Sequence, residues 1–224
     1  MTHFAAAAKA LQLDHLVVLA ATLEAGRQHV ADALGVAPVT GGQHPAMGTH
    51  NCLLNLWGGQ YLEVLAIDPD AAPPARPRWF GLDQPALQAR LAKGPFLAHW
   101  VAQVARPRQL ARWQSQYPQR IAPVLPMARG AYRWQITVAE DGSLPRDGLL
   151  PTLIQWDSPQ HPSAGLPEPQ VALRSLRGFH GAAPEIQHEL DWLGAQHLLT
   201  LDATLVEPTL MAEFDTPSGI RVLK

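Results

Sequence analysis

The chain has 224 residues but only one cysteine, Cys52. That excludes an intrachain disulfide framework and any cysteine-built zinc site. Charge is also scarce, 16% of residues, and 17 Lys and Arg balance against 19 Asp and Glu to a net charge of -2. No basic stripe marks a nucleic-acid footprint and no polybasic cluster marks an anionic membrane. Long hydrophobic runs are missing: 16–21 is the longest clean one near the start, far short of a bilayer span. The Ala-rich opening MTHFAAAAKALQL lacks the basic start and long apolar core of a signal peptide. The expectation is a soluble, cytoplasmic protein without nucleic-acid or membrane partners. The mechanistic signatures of other enzymes are absent too. No GxSxG elbow, P-loop or GxGxxG follows a strand, and the HEL at 188–190 has Trp192 where a zincin needs its second histidine.

What is present is a recurring pattern. LDHLVVLA, residues 13–20, reads as a buried strand. Thr22 caps a helix with Leu23, Val30 and Leu34 on one face, and Gly35 stops it. Two strands follow, VAPVTGGQH and THNCLLNLW, then a Gly58-Gly59 turn and the strand YLEVLAID at 61–68. After a proline-rich connector, read as a stiff surface loop, the order recurs. FLAHWVAQV is a strand, Leu110, Trp113 and Tyr117 share a helix face, and APVLPMARG, YRWQITVAE and LLPTLIQWD are strands. A shorter version occupies the C-terminal quarter: VALRSLRGFHG, a helix from Pro184 to Gly194, LLTLDATLV, TLMAEFDT and GIRVLK. The expected fold class is α+β, with tandem βαβββ units whose curved mixed sheets enclose a cleft. The units are 11–68 and 96–165, joined by a connector at 69–95. A shorter βαβββ-like unit at 170–224 packs with them as one body.

The blocks DHLVV, HPAMGTHNCLLNL, YLEVLAIDP, ARPRWFGLD and LLPTLIQWDSPQHP, in that order over roughly 11–165, resemble the glyoxalase-like domain family of the vicinal oxygen chelate superfamily. The resemblance implies a metal site drawn from the first and last strands of each unit. His15 and Glu63 would serve from the first unit, His99 and Gln155 from the second, holding a divalent zinc, iron, nickel or manganese ion. Gln155 stands where a glyoxalase-type enzyme carries a second glutamate, which weakens the case for isomerase chemistry. A register slip of one residue at His99 would put Trp100 in the cleft instead. His15 also fits a satisfied core histidine. Glu63, inside an apolar strand, needs a metal, a partner or an exposed face. His50 and Asn51 are candidates to bind a ligand carbonyl or carboxylate, with loop hydrogen bonding as the competing role. Arg76 and Arg78 are candidates to bind an anionic ligand or to staple the connector. His161 can cover one cleft edge, while Trp134 and Trp156 read as core. The functional expectation is a metal-dependent lyase, isomerase or dioxygenase acting on a small oxygen-rich metabolite. The alternative is a metal-free protein that sequesters such a ligand.

Overall fold

The computed structural model describes residues 11–205 and 207–224. The Ala-rich opening segment lies almost wholly outside the described residues. The first unit runs β1 (Gln12–Leu19), α1 (Leu23–Leu34), β2 (Val39–His44), β3 (Thr49–Asn55) and β4 (Tyr61–Ile67). Thr22 caps α1 by accepting from the Ala25 N–H at 3.2 Å, and Gly35 ends it at φ 73°, where a side chain would be strained. Gly26 brings the helix onto the sheet, since a Cβ there would collide with Val64. The connector holds α2 (Pro85–Leu91). The second unit is β5 (Phe96–Gln103), α3 (Leu110–Gln116), β6 (Val124–Arg129), β7 (Tyr132–Thr137) and β8 (Thr152–Trp156).

These strands form one eight-stranded sheet in the order β2-β3-β4-β1-β5-β8-β7-β6. In each unit the first and last strands pair in parallel, and β1 pairs antiparallel with β5 at the centre. The sheet curves until its edges approach, with Arg129 on β6 reaching His44 on β2. The central register is symmetric. His15 faces Val101 and His99 faces Val17, so His99 occupies the place of His15. Val17 faces Glu63 on β4 and Val101 faces Thr152 on β8, so Thr152 occupies the place of Glu63.

The C-terminal segment keeps the element order: β9 (Ala172–Phe179), α4 (Ala183–Leu193), β10 (Thr200–Asp202), β11 (Thr209–Thr216) and β12 (Gly219–Leu223). Its pairing differs. The strands form a separate sheet, β10-β9-β11-β12, in which the first strand pairs in parallel with the second rather than the last. Leu176, Ile186, Leu190, Leu210 and Phe214 join Leu16, Val18, Leu34 and Trp100 in one core on the convex side of the large sheet. This burial, at about 25 cal/mol per Å² of apolar surface, holds the two sheets together.

A second core fills the concave side, and here the connector departs from the surface path expected of it. Trp79, Phe80, Leu82, Leu87 and Leu91 are buried against Val17, Val101, Ile136 and Ile154. The prolines keep residues 69–78 irregular, but the apolar side chains after them drop into the cleft. No helix among the described residues is long and apolar enough to cross a membrane.

Candidate functional site

The concave face closes around a cavity walled by His15, His44, Asn51, Tyr61, Glu63 and Arg129, with Trp79, Phe80, Trp134 and Trp156 completing it. The register of β1 against β5 shifts between Leu13 and His15. Such an irregularity re-aims side chains, and here Asp14 comes to lie alongside His15 instead of opposite it. The Asp14 carboxylate is fully buried and meets His15 Nδ1 at 2.7 Å. Its other oxygen accepts from Trp156 Nε1 at 2.8 Å and from His161 Nε2 at 3.3 Å. Burial pushes the Asp14 carboxyl up, but hydrogen bonds from His15 and His161 outweigh it and hold the group well below the usual carboxylate range. Asp14 therefore stays ionised and fixes the proton of His15 on Nδ1.

That leaves His15 Nε2 facing the cavity, 3.7 Å from a Glu63 oxygen. The imidazole stacks on Tyr61 with centroids 4.5 Å apart. Glu63 is 6% exposed, and its other oxygen accepts from Asn51 Nδ2 at 2.5 Å. Asn51 is oriented in turn: its carbonyl oxygen accepts from the Gly42 N–H at 2.7 Å and from Arg129 at 3.2 Å. Arg129 also donates toward His44 Nε2 at 3.4 Å, while His44 Nδ1 pairs with Thr49 Oγ1 at 3.2 Å. Burial lowers the His44 pKa to about 4, so the ring is neutral at pH 7 and accepts on Nε2. The Trp79 indole N–H, in the same wall, is buried without a partner among the described residues.

Residues 13–194 match the family model described as the glyoxalase-like domain. The chain belongs to the glyoxalase-like domain family. Its tandem βαβββ units in one curved mixed sheet are the fold class expected from the sequence. A hypothetical protein from Staphylococcus aureus is 15% identical, over 91% of this chain and 80% of that one, with a TM-score of 0.54. Methylmalonyl-CoA epimerase from Mycobacterium tuberculosis is 16% identical over 69% of this chain and 92% of its own, with a TM-score of 0.44. No curated protein matches the sequence.

The glyoxalase-like site gathers some of the expected residues and turns others away. His15, Glu63 and Asn51 meet in the cavity. His99 shares the concave face but is fully buried and sealed. Its Nδ1 lies 3.0 Å from the Gly148 carbonyl and its Nε2 2.9 Å from Thr152 Oγ1. No register slip occurs, and Trp100 packs on the convex side with its indole donating to the Leu149 carbonyl. Gln155 is turned to the convex side, because β8 alternates and Ile154 and Trp156 take the cavity. Its oxygen accepts from the Leu110 N–H, and its amide donates to the Val104 and Arg108 carbonyls. His50 also faces away, into a shallow groove beside Thr22, Arg27 and Cys52. Arg76 donates to the Ala139 carbonyl and Arg78 pairs with Asp83 at 2.7 Å, so both staple the connector.

Two residues that matter were not anticipated. Arg129 shares a strand face with buried Met127, a signal present in the alternation of β6. Asp14 adjoins His15, but adjacency alone says nothing about a bulge. Among the described residues, no three His, Cys, Asp or Glu side chains converge to hold a metal ion. The donors on hand do not fit a divalent cation well. His15 and Glu63 supply two, His44 in the same wall turns its Nε2 to the Arg129 guanidinium, and the other two expected ligands are turned away or spent.

Proposed function

We propose that the cleft binds a small oxygen-rich metabolite and moves a proton on it, as an isomerase or lyase does in its first step. Glu63 is the base, with His15 Nε2 beside it to share or relay the proton. Arg129, Asn51 and the Trp79 indole are donors for a carboxylate or carbonyl oxygen. The observation that carries this reading is the buried line Asp14–His15–Glu63, with separations of 2.7 and 3.7 Å. A third group orients the histidine, and a carboxylate sits within reach of its free nitrogen in a water-poor cavity. Such placement is worth about 10² to 10⁴ in rate for general acid–base catalysis.

The test is proton exchange. Incubated in D2O with small 2-oxo and 2-hydroxy carboxylates, the wild-type chain should exchange the C3 proton beside the 2-oxo carbonyl or the C2 proton of the hydroxy acid. Glu63→Gln should lose at least about 100-fold of that exchange while keeping its melting temperature. Binding without exchange supports the second reading, a sequestering protein; Thr152 at the register position equivalent to Glu63, where a second carboxylate would stand, favours it. Stoichiometric metal on the purified chain, lost in Glu63→Gln, would restore a metal-dependent lyase, isomerase or dioxygenase.

A further inference from the structure

The site cavity spans about 370 Å³ with its open mouth, yet only about 30 Å³ of it admits the centre of a water molecule. That suffices for a water or two, so a metabolite enters only if a wall gives way. One wall has a second space behind it. Phe80 lines both the site cavity and a neighbouring chamber, where β8 begins, that spans about 520 Å³ with its open mouth and admits the centre of a water molecule over about 70 Å³, roughly twice the site cavity's share. The chamber is walled mainly by Ile121, Val138, Leu150, Leu153 and Leu193. Its buried hydroxyls are already spent: Thr137 accepts from the Leu153 N–H, and Thr152 pairs with His99. Arg120, which is exposed, and Ser143, which is half-buried, are the other polar residues that line it. The interior therefore suits hydrocarbon and offers little to a polar group.

Phe80 itself is poised. It holds φ 59° and ψ 26°, a left-handed conformation that a bulky residue rarely adopts. Residues kept in such strain cluster at ligand clamps and switches. Its ring stacks on Trp79 and lies 5.1 Å from His99.

The geometry points to a ligand with two parts: an oxygen-rich head at Glu63 and Arg129, and an aliphatic tail that displaces the Phe80 ring and lodges in this chamber. The substrate class is a 2-oxo or 2-hydroxy carboxylate carrying an unbranched hydrocarbon chain. This rests on the head-group reading proposed above.

The test uses straight-chain 2-oxo acids of three to eight carbons, with dissociation constants measured by calorimetry on the full chain. Affinity should rise by up to about fourfold per added methylene, the value for full burial. Ala122→Phe, which fills the chamber, should flatten the series and leave the three-carbon acid unchanged. Ala139→Leu is the second filling variant, should the first fail to fold, and each is checked by its melting temperature. Phe80→Ala should steepen the series for the longer acids. A flat series in the wild type, with the three-carbon acid bound, overturns the tail chamber alone. A rising series that neither filling variant changes also overturns it. If no acid binds, the head-group reading fails and the tail chamber with it.

Discussion

The two halves of the large sheet share one design and, of three equivalent positions around the cleft, differ at two. The first carries Asp14, His15 and Glu63; the second carries Ala98, His99 and Thr152 at the corresponding register. Both histidines face the concave side. His15 is held by a carboxylate on one nitrogen and keeps the other toward the cavity. His99 has no carboxylate beside it, and a carbonyl and a hydroxyl take both its nitrogens. On the proposed function, the duplicated sheet bears one half suited to proton chemistry and one suited to cohesion. The deciding variable is what lies next to the histidine, since the histidine itself is common to both.

The largest expected effect comes from removing that neighbour. Asp14→Ala leaves a buried histidine and the Trp156 indole without their acceptor. Breaking a buried charged network costs about 3 to 5 kcal/mol, so the urea midpoint should drop sharply and proton exchange should vanish. The reciprocal change, Ala98→Asp, should be comparably destabilising, because Ala98 is 3% exposed and the adjacent His99 already spends both nitrogens on the Gly148 carbonyl and Thr152. If Ala98→Asp folds with wild-type stability, the asymmetry between the halves is looser than the geometry states.

Acid should act on both halves through one buried histidine in each. Burial lowers His44 to about 4 and His99 to about 3, against an ordinary value of 6.5. The unfolded chain takes up these protons near pH 6.5, and the folded chain does not. Stability is therefore full above about pH 6.5 and falls as pH drops through the window toward 4 and then 3. His44 alone accounts for about 3 kcal/mol of that loss. Unfolding midpoints at pH 7, 5.5 and 4.5 should decline steeply in the wild type and less in His44→Gln. An unchanged slope in that variant would mean that other groups carry the acid sensitivity.

Much of this architecture could be read in the chain, and the gaps have physical causes. Apolar runs with Thr22 and Gly35 as punctuation placed β1, α1, β4 and β5 well, because local burial pattern and capping are encoded locally. The pairing of the C-terminal strands was not legible. Element order is local, but whether β9 takes β10 or β12 as its parallel partner depends on packing against the large sheet. The connector misled because its prolines announce a loop, while Trp79 and Phe80 are buried by tertiary contacts that those prolines do not forbid. At the site, a carboxylate inside YLEVLAI was a strong signal for Glu63. Gln155 was misassigned by three positions, since the register across β5 and β8 puts Thr152 opposite Val101. Arg129 comes from the far edge of the sheet, and only closure brings it to Asn51.

Gln155 itself sharpens the comparison at an intermediate scale. Its amide joins the start of α3 to the end of β5 through three hydrogen bonds. Gln155→Ala should cost about 1 to 3 kcal/mol, the penalty for stranding buried backbone groups. Ligand binding should stay at the wild-type level. A loss of binding with the fold intact would place this side chain in the cleft after all.

The smallest effect should come from Thr152, the counterpart of Glu63. Its hydroxyl meets His99 Nε2 at 2.9 Å, and its backbone N–H approaches the same nitrogen at 3.2 Å. Thr152→Val keeps the shape and removes the hydroxyl. His99 Nε2 can still accept from the backbone N–H, so the ring is not orphaned and the loss should be about 1 kcal/mol, near the net value of one hydrogen bond. Proton exchange and binding of the shortest 2-oxo acid should not change, because the hydroxyl faces His99 and not Glu63. Set beside Glu63→Gln, which should lose exchange and keep stability, Thr152→Val should do the reverse at the matching register position. Two conservative substitutions at equivalent places, with opposite readouts, then divide the sheet into its chemical and its structural half. Loss of exchange in Thr152→Val would show that the second half takes part in the chemistry, with His99 coupled to His15 across β1 and β5.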